Sequence, residues 1–109
     1  VLAATSHLPH ALAFGLVAML SRLESEAEIF EFAAGGFRDF TRIASSDPVM
    51  WRDICLANGN ELSQMIDGFV DELRGIQAAV NSEDGGSLLD EFAFAQAERN
   101  RFMQKGSKT

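Results

Sequence analysis

Two histidines near the start of the chain, His7 and His10, are the first residues whose type and spacing could support chemistry. They are three positions apart, so a helix would place both imidazoles on one face. Such a pair could face a substrate, could bind a metal if carboxylates or cysteines came near, or could be core histidines bonded to the backbone. The sequence has no H-E-x-x-H or Cys-x-x-Cys pattern that would complete a metal site, so no metal is predicted.

A second polar cluster consists of Arg38, Asp39 and Arg42 in the run GGFRDFTRIA. The arginines are four positions apart and Asp39 precedes Arg42 by three, so a helix would carry them on one cationic face with its own counter-charge. One interpretation is a solvated ion-pair cluster, which contributes little stability. The other is a carboxylate site, because a guanidinium group binds a carboxylate through two parallel hydrogen bonds. Apolar neighbours are predicted to anchor this segment in a core: Phe37, Phe40 and Ile43.

Trp51 is the only tryptophan and lies one helical turn after the Asp47-Pro48 pair. It could be a core or interface anchor, and it could equally form the wall of a pocket. The pair at Gly35 ends a predicted helix or permits close approach of a ligand or a neighbouring chain. It is not a G-x-G-x-x-G loop and no predicted strand precedes it, so this chain is predicted to bind no dinucleotide by itself. No catalytic residue is predicted in it either.

The bulk composition limits the class of protein. A length of 109 residues fits one domain, small enough that its helices could need a partner to cover their apolar faces. The formal net charge of −7 argues against nucleic-acid and anionic-membrane partners, which require clustered lysine and arginine. Residues 1–20 contain no charged side chain, and we expect a helix buried on nearly all sides by protein rather than a membrane span. The single cysteine, Cys55, excludes an intrachain disulfide and favours a cytoplasmic protein.

Every strong periodic pattern is helical, so the fold class predicted is all-α, a single domain of about five to six helices. Pro9 predicts a kink in the first helix or a restart near Ser6. Ser25 and Glu28 have capping-box spacing. The predicted helices cover residues 2–23, 27–33, 37–44 and 48–57, then a segment that starts at the Asn60 cap and stays amphipathic as far as Val80, and a last segment after Ser87 that ends before Gly106.

Two separated runs, SHLPHALAF and GGFRDFTRIASSDPVMWRDICLAN, resemble the C-terminal helical domain of the prephenate dehydrogenase family, which includes arogenate and cyclohexadienyl dehydrogenases. The resemblance is strongest from Thr5 to Asn58. It implies that residues 1–109 are the C-terminal domain of a two-domain enzyme of tyrosine biosynthesis, whose helices interlock as a homodimer. Its N-terminal Rossmann domain would bind NAD or NADP and supply the catalytic histidine, and it is absent from this chain. The reaction implied is oxidative decarboxylation of prephenate to 4-hydroxyphenylpyruvate.

The resemblance also implies roles for individual residues. His10 corresponds to the histidine that lines the prephenate site and Arg42 to the arginine that binds a substrate carboxylate. The full set of substrate-binding residues implied is His10, Arg42, Trp51, Ser6 and His7. An ionic network would contain Asp39 and Arg38, and Gly35 would approach the active site of the other subunit.

One alternative hypothesis is a helical dimerisation or regulatory module that stands alone and binds no substrate. The chain starts at Val1 without an initiator methionine, so we expect it to be a piece of a longer protein. An upstream βαβ unit with a G-x-G-x-x-G loop would support the dehydrogenase, whereas a methionine within a few residues would support the module.

Overall fold

The structure is a computed structural model that describes residues 1–23 and 35–107. All regular structure in these ranges is helical, and they contain no strand, which confirms the all-α prediction. The elements, in chain order, are a π-helical turn at Ala3–His7, α1 at Leu8–Ser21, α2 at Gly35–Thr41, a 3-10 turn at Arg42–Ser45, α3 at Pro48–Ala57, α4 at Gly59–Asn81 and α5 at Gly85–Ser107. The predicted helix at 27–33 and its Ser25–Glu28 capping box lie outside the described residues.

The first helix changes its winding where the sequence predicted a kink or a restart. The backbone N–H of Leu8 donates to the carbonyl of Ala3, five residues back, and α winding resumes from Leu8 to Ser21. Pro9 explains the wide turn, because proline has no N–H to donate and its ring would clash with the carbonyl four residues earlier. A π turn relieves that clash without breaking the helix.

Residues 35–45 form two short elements where one helix over 37–44 was predicted. Helix α2 begins two residues earlier, at Gly35, and the chain tightens into a 3-10 turn at Arg42. Thr41 marks the change: its backbone is at φ −94° and ψ 0°, and its Oγ1 donates to the carbonyl of Phe37 at 2.7 Å. A threonine hydroxyl bonded to the preceding turn competes with the regular ladder of hydrogen bonds.

Helix α3 has the predicted bounds, and its start is set by the Asp47-Pro48 pair. Asp47 is in extended conformation and its Oδ1 accepts from the N–H of Val49 at 3.1 Å, while Pro48 occupies the first helical position. This is the usual chemistry of a helix N-terminus. Asn58 ends α3, and α4 starts at Gly59, one residue before the predicted Asn60 cap. The start of α3 matters for the site because it places Trp51 on the helix's first complete turn.

Residues 1–67 form one compact part of the chain, in which α1 contacts α2 and the 3-10 turn. The buried apolar side chains here are few: Ala3, Ala13, Trp51 and Leu62. The expectation that the first helix is buried on nearly all sides is wrong for this chain, because most of its residues are only half-buried. The run Ala3–Ser21 is long and apolar enough to cross a membrane by length and composition alone, a test that core helices of soluble proteins also pass.

The anchoring expected around α2 is also partly wrong. Phe37 and Ile43 are half-buried, but Phe40 is 53% exposed. Two methionines of α3 and α4, Met50 and Met65, are also 47% and 37% exposed. The helices described here are too few to cover these side chains.

Residues 68–109 form the second compact part, which contains the turn between α4 and α5. Glu83 has a positive φ of 55°, and the N–H groups of Glu83 and Asp84 donate to the carbonyls of Val80 and Ala79. This is a Schellman end, in which the left-handed residue is usually glycine. Asp84 then caps α5, since its carboxylate accepts from the N–H and hydroxyl of Ser87 at 3.0 and 2.6 Å. These two bonds lower the pKa of Asp84.

The amphipathic pattern predicted along α4 gives an apolar stripe and α5 carries another, but the described chain leaves both largely uncovered. On α4, Val70, Leu73 and Val80 are between 43% and 55% exposed, and on α5 Leu89 and Phe92 are 68% and 53% exposed. Contiguous exposed apolar surface of this kind marks an interaction site in a soluble protein.

A groove of about 300 Å³ on residues 68–107 brings two glutamate side chains together. It is lined by Glu72 and Glu91 together with Ile76, Leu88 and others. A side-chain hydrogen bond with Glu72, and then the charge of Glu72, raise the pKa of Glu91. A raised carboxyl pKa means that the folded state holds this proton more tightly than the unfolded state. The stabilisation is therefore present below the unfolded pKa and is lost as pH rises through the folded pKa.

We predict that Glu91→Gln raises the melting temperature at pH 7, where two carboxylates repel each other, and that the difference disappears at about pH 4, where Glu91 carries its proton. Thermal unfolding followed by circular dichroism at fixed protein concentration measures this. Asp90→Asn is the matched control, because it removes one charge from the adjacent exposed position of α5. An equal rise in melting temperature for Glu91→Gln at both pH values would contradict the raised pKa of Glu91.

Candidate functional site

Ser6, His7 and His10 lie at the junction of the π turn and α1, and all three are half-buried. The Nδ1 of His10 lies 2.9 Å from the carbonyl oxygen of Ser6. Because a carbonyl can only accept, this bond assigns the Nδ1 proton to His10. The Nε2 of His10 is then the atom left for a ligand. It accepts a hydrogen bond when the ring is neutral and donates one when the ring is cationic.

Trp51 of α3 brings the two histidines into one cluster of rings. The His10 ring stacks on Trp51 with centroids 3.6 Å apart and planes 15° apart, and the His7 ring meets Trp51 edge-on at 6.1 Å and 78°. Trp51 is 9% exposed. We call His7, His10 and Trp51 the ring cluster. The His10–Trp51 pair is thus close to a face-to-face stack and the His7–Trp51 pair is edge-on. Aromatic pairs contribute about 0.5–1.5 kcal/mol beyond the area they bury.

His7 has a buried polar atom with no partner. Its Nδ1 is inaccessible and makes no hydrogen bond with any described residue. A buried polar atom without a partner costs about 1–3 kcal/mol. Such a cost is often found at a functional site, where a ligand or another chain supplies the missing bond.

Arg38, Asp39 and Arg42 are exposed, and the two arginines are the cations of the site. Arg42 begins the 3-10 turn, and this turn packs against α1, the helix that carries His10. Within the part of the chain that the structure describes, these three side chains form no ion pair, so the ionic network of Asp39 and Arg38 stays a prediction. Neither guanidinium group is paired with a carboxylate of a described residue.

The position of Gly35 is set by the start of α2. A Cβ added there would meet no atom of a described residue within 4 Å, so packing against the described part of the chain does not require glycine. Its approach to a second subunit stays a prediction. Across the described ranges no group of three histidine, cysteine or acidic side chains is close enough to hold a metal.

Sequence reasoning missed two contacts of this site: the bond from His10 to Ser6 and the stack of His10 on Trp51. The first had a signal, because Ser6 and His10 are four residues apart and so one turn apart on a helix. The second joins residues 41 positions apart in the sequence. No local pattern predicts a contact of that separation.

The fold and the site together define an all-helical domain in which histidines on the first helix meet a tryptophan, and this helix contacts an arginine-bearing turn. Residues 1–94 match the family described as the dimerization domain of prephenate dehydrogenase. The chain belongs to this family, as the resemblance predicted.

Similar proteins agree with this assignment. The chain is 44% identical to cyclohexadienyl dehydrogenase of Zymomonas mobilis over 101 residues, covering 91% of this chain and 34% of that protein. It is 41% identical to prephenate dehydrogenase of Bacillus subtilis over 105 residues, covering 94% of this chain and 28% of that protein. The chain thus spans about a third of the length of these relatives.

Solved structures show the same fold. Prephenate dehydrogenase from A. aeolicus, in complex with hydroxyphenyl propionate and NAD+, superposes with a TM-score of 0.84 at 38% identity, covering 93% of this chain and 36% of that chain. Arogenate dehydrogenase from Synechocystis superposes with a TM-score of 0.86 at 17% identity, covering 93% of this chain and 37% of that chain. The second likeness concerns the fold alone.

Proposed function

We propose that residues 1–109 are the C-terminal dimerisation and substrate-site domain of an NAD- or NADP-dependent prephenate dehydrogenase. The parent enzyme would oxidise and decarboxylate prephenate to 4-hydroxyphenylpyruvate, and arogenate is the alternative substrate. The observation that carries the proposal is the ring cluster on α1 and α3, with Arg42 on a turn packed against α1. The family match and the identity to two dehydrogenases support it.

The proposed substrate site follows from the charges of prephenate. Its two carboxylates need fixed cations in a chain whose net charge is −7. Arg42 would hold one carboxylate through a bidentate pair and His10 would present Nε2 to the substrate. Ser6, His7 and Trp51 would complete the site behind His10.

The cofactor and the catalytic histidine would be supplied by the N-terminal Rossmann domain of the parent enzyme. NAD is the cofactor in the solved relative, and NADP is the alternative for this protein. The chain alone would therefore be inactive. We further propose a homodimer in the cytoplasm, with neither a nucleic acid nor a membrane as partner, since the apolar stripes of α4 and α5 suit a second copy.

The test is a steady-state assay of the full-length enzyme with prephenate and arogenate, each with NAD and NADP. We expect reduced dinucleotide to form with prephenate, and 4-hydroxyphenylpyruvate to accumulate in equal amount. Separate purification of residues 1–109 should give no activity. If neither substrate reduces either dinucleotide, the proposal is wrong.

A further inference from the structure

The burial of Trp51 limits what this residue can offer a substrate. It is 9% exposed, and one face of the indole is occupied by the His10 ring at 3.6 Å. The edge of His7 meets the same indole. Most of the tryptophan surface is thus already in contact with the protein. Of the two histidine rings, that of His10 is the closer, and the proposed function places His10 against the substrate.

The His10 ring is held at two points. The carbonyl of Ser6 accepts the Nδ1 proton at 2.9 Å, which limits how far the ring can turn about its own axis. Stacking on Trp51 fixes the plane of the ring. Together these contacts leave the imidazole one orientation, with Nε2 as the free nitrogen. A group held in its binding orientation before the ligand arrives loses less conformational freedom on binding.

We propose that Trp51 is a positioning residue: it acts on the substrate through His10, by holding the imidazole so that Nε2 points to the substrate. This inference rests on the proposed substrate role of His10. In this view Trp51 does not bind the substrate directly but supports His10, which does. Asp47 and Pro48 belong to the same device, because they start α3 and so place Trp51 beside α1.

The geometry can be tested on the chain itself, without substrate. A proton above an indole face resonates upfield, and the chain has only two histidines and one tryptophan. In proton NMR spectra we expect the His10 ring protons to lie upfield of those of an exposed histidine, to remain upfield in Trp51→Phe, and to move back in Trp51→Leu. Unshifted His10 protons in the unmodified chain would overturn the stack.

The role can be tested by a double-mutant cycle in the full-length enzyme, with His10→Ala, Trp51→Leu and the double variant. We expect Trp51→Leu to raise the KM for prephenate about tenfold, since the free energy of an aromatic pair corresponds to a change in binding constant of up to about tenfold. In the His10→Ala background the same change should alter KM less than about twofold, because a residue that acts through another has no separate effect. If the two effects multiply, Trp51 acts on the substrate independently and the proposal is wrong.

Two further measurements separate this role from a purely structural one. The Trp51→Phe variant keeps a ring for stacking, so its KM for prephenate should stay within about threefold of the parent value. A rise in KM as large as that of Trp51→Leu would overturn the proposal. The KM for the dinucleotide should be unchanged in every variant, because the proposed dinucleotide site lies on the other domain. A rise in the KM for both prephenate and the dinucleotide would indicate misfolding and overturn the positioning role. An enzyme that does not act on prephenate would refute the proposed function, and the NMR result would still decide the stack.

Discussion

Replacement of Arg42 by alanine in the full-length enzyme is expected to raise the KM for prephenate by about 10- to 100-fold. Arg42 is exposed at the first position of the 3-10 turn, and that turn packs against the helix that carries His10. A hydrogen bond to a charged group contributes about 1.5–3 kcal/mol, which converts to this range of KM. The pyruvyl carboxylate, which the reaction keeps, is charged before and after hydride transfer, so loss of a contact with it should have a smaller effect on kcat. Initial rates over a range of prephenate concentration measure both.

Two variants make the Arg42 experiment specific. Arg52→Ala removes the same charge from α3, where Arg52 is exposed and already paired with Asp53 at 2.9 Å, and its KM should stay within about twofold. Arg42→Lys keeps the charge and loses the planar fork, so its KM should be intermediate. A KM for Arg42→Ala that equals the parent value would remove Arg42 from the substrate site.

The second large effect is expected on assembly. The chain should sediment as a dimer at micromolar concentration, and Phe92→Glu should raise its dissociation constant by at least about 100-fold. Phe92 is 53% exposed in the single chain and lies on the same stripe of α5 as Leu89. A dimer that covers this stripe would bury a carboxylate without a partner in the variant, at a cost of several kcal/mol. Sedimentation equilibrium over a range of concentration measures the constant.

Ala97→Glu is the matched control for the assembly experiment. It introduces the same carboxylate at an exposed position of α5, about 140° around the helix from Phe92. We expect the dissociation constant of this control to stay close to that of the unmodified chain. A monomeric unmodified chain, or a Phe92→Glu variant that still dimerises normally, would exclude α5 from the interface.

Local chemistry explains which elements could be predicted from the sequence. The sequence predicts the correct start of helix α3 because its two signals, the Asp47 cap and Pro48 in the first turn, are adjacent and act locally. The π turn was not predicted, since Pro9 is compatible with a kink, a restart or a wide turn, and only the backbone path selects among them. Phe40 was assigned to a core because it is apolar, but its burial depends on which helices surround it.

The candidate site likewise has features that the sequence predicts and features that depend on packing. His10, Arg42 and Trp51 were predicted from residue types, spacing and resemblance. The stack of His10 on Trp51 was not, because it depends on how α1 and α3 pack, and packing joins residues far apart in the sequence. The Ser6 bond to His10 fixes which nitrogen carries the proton, a detail that no sequence pattern contains.

The π turn at Ala3–His7 also has a consequence for changes in chain length. Its hydrogen bond spans five residues instead of four, so the turn holds one residue more than regular α winding needs. Removal of one residue there would rotate everything before it by about 100° relative to His10, and regular α winding would bring the Pro9 ring against the carbonyl four residues earlier. The Ser6 carbonyl that accepts from His10 lies inside this turn, so the same deletion would also disturb one of the two contacts that hold the imidazole. The number of residues between Ala3 and Leu8 is therefore tied to the orientation of His10, and an insertion or deletion should be tolerated better before Ala3 than within the turn.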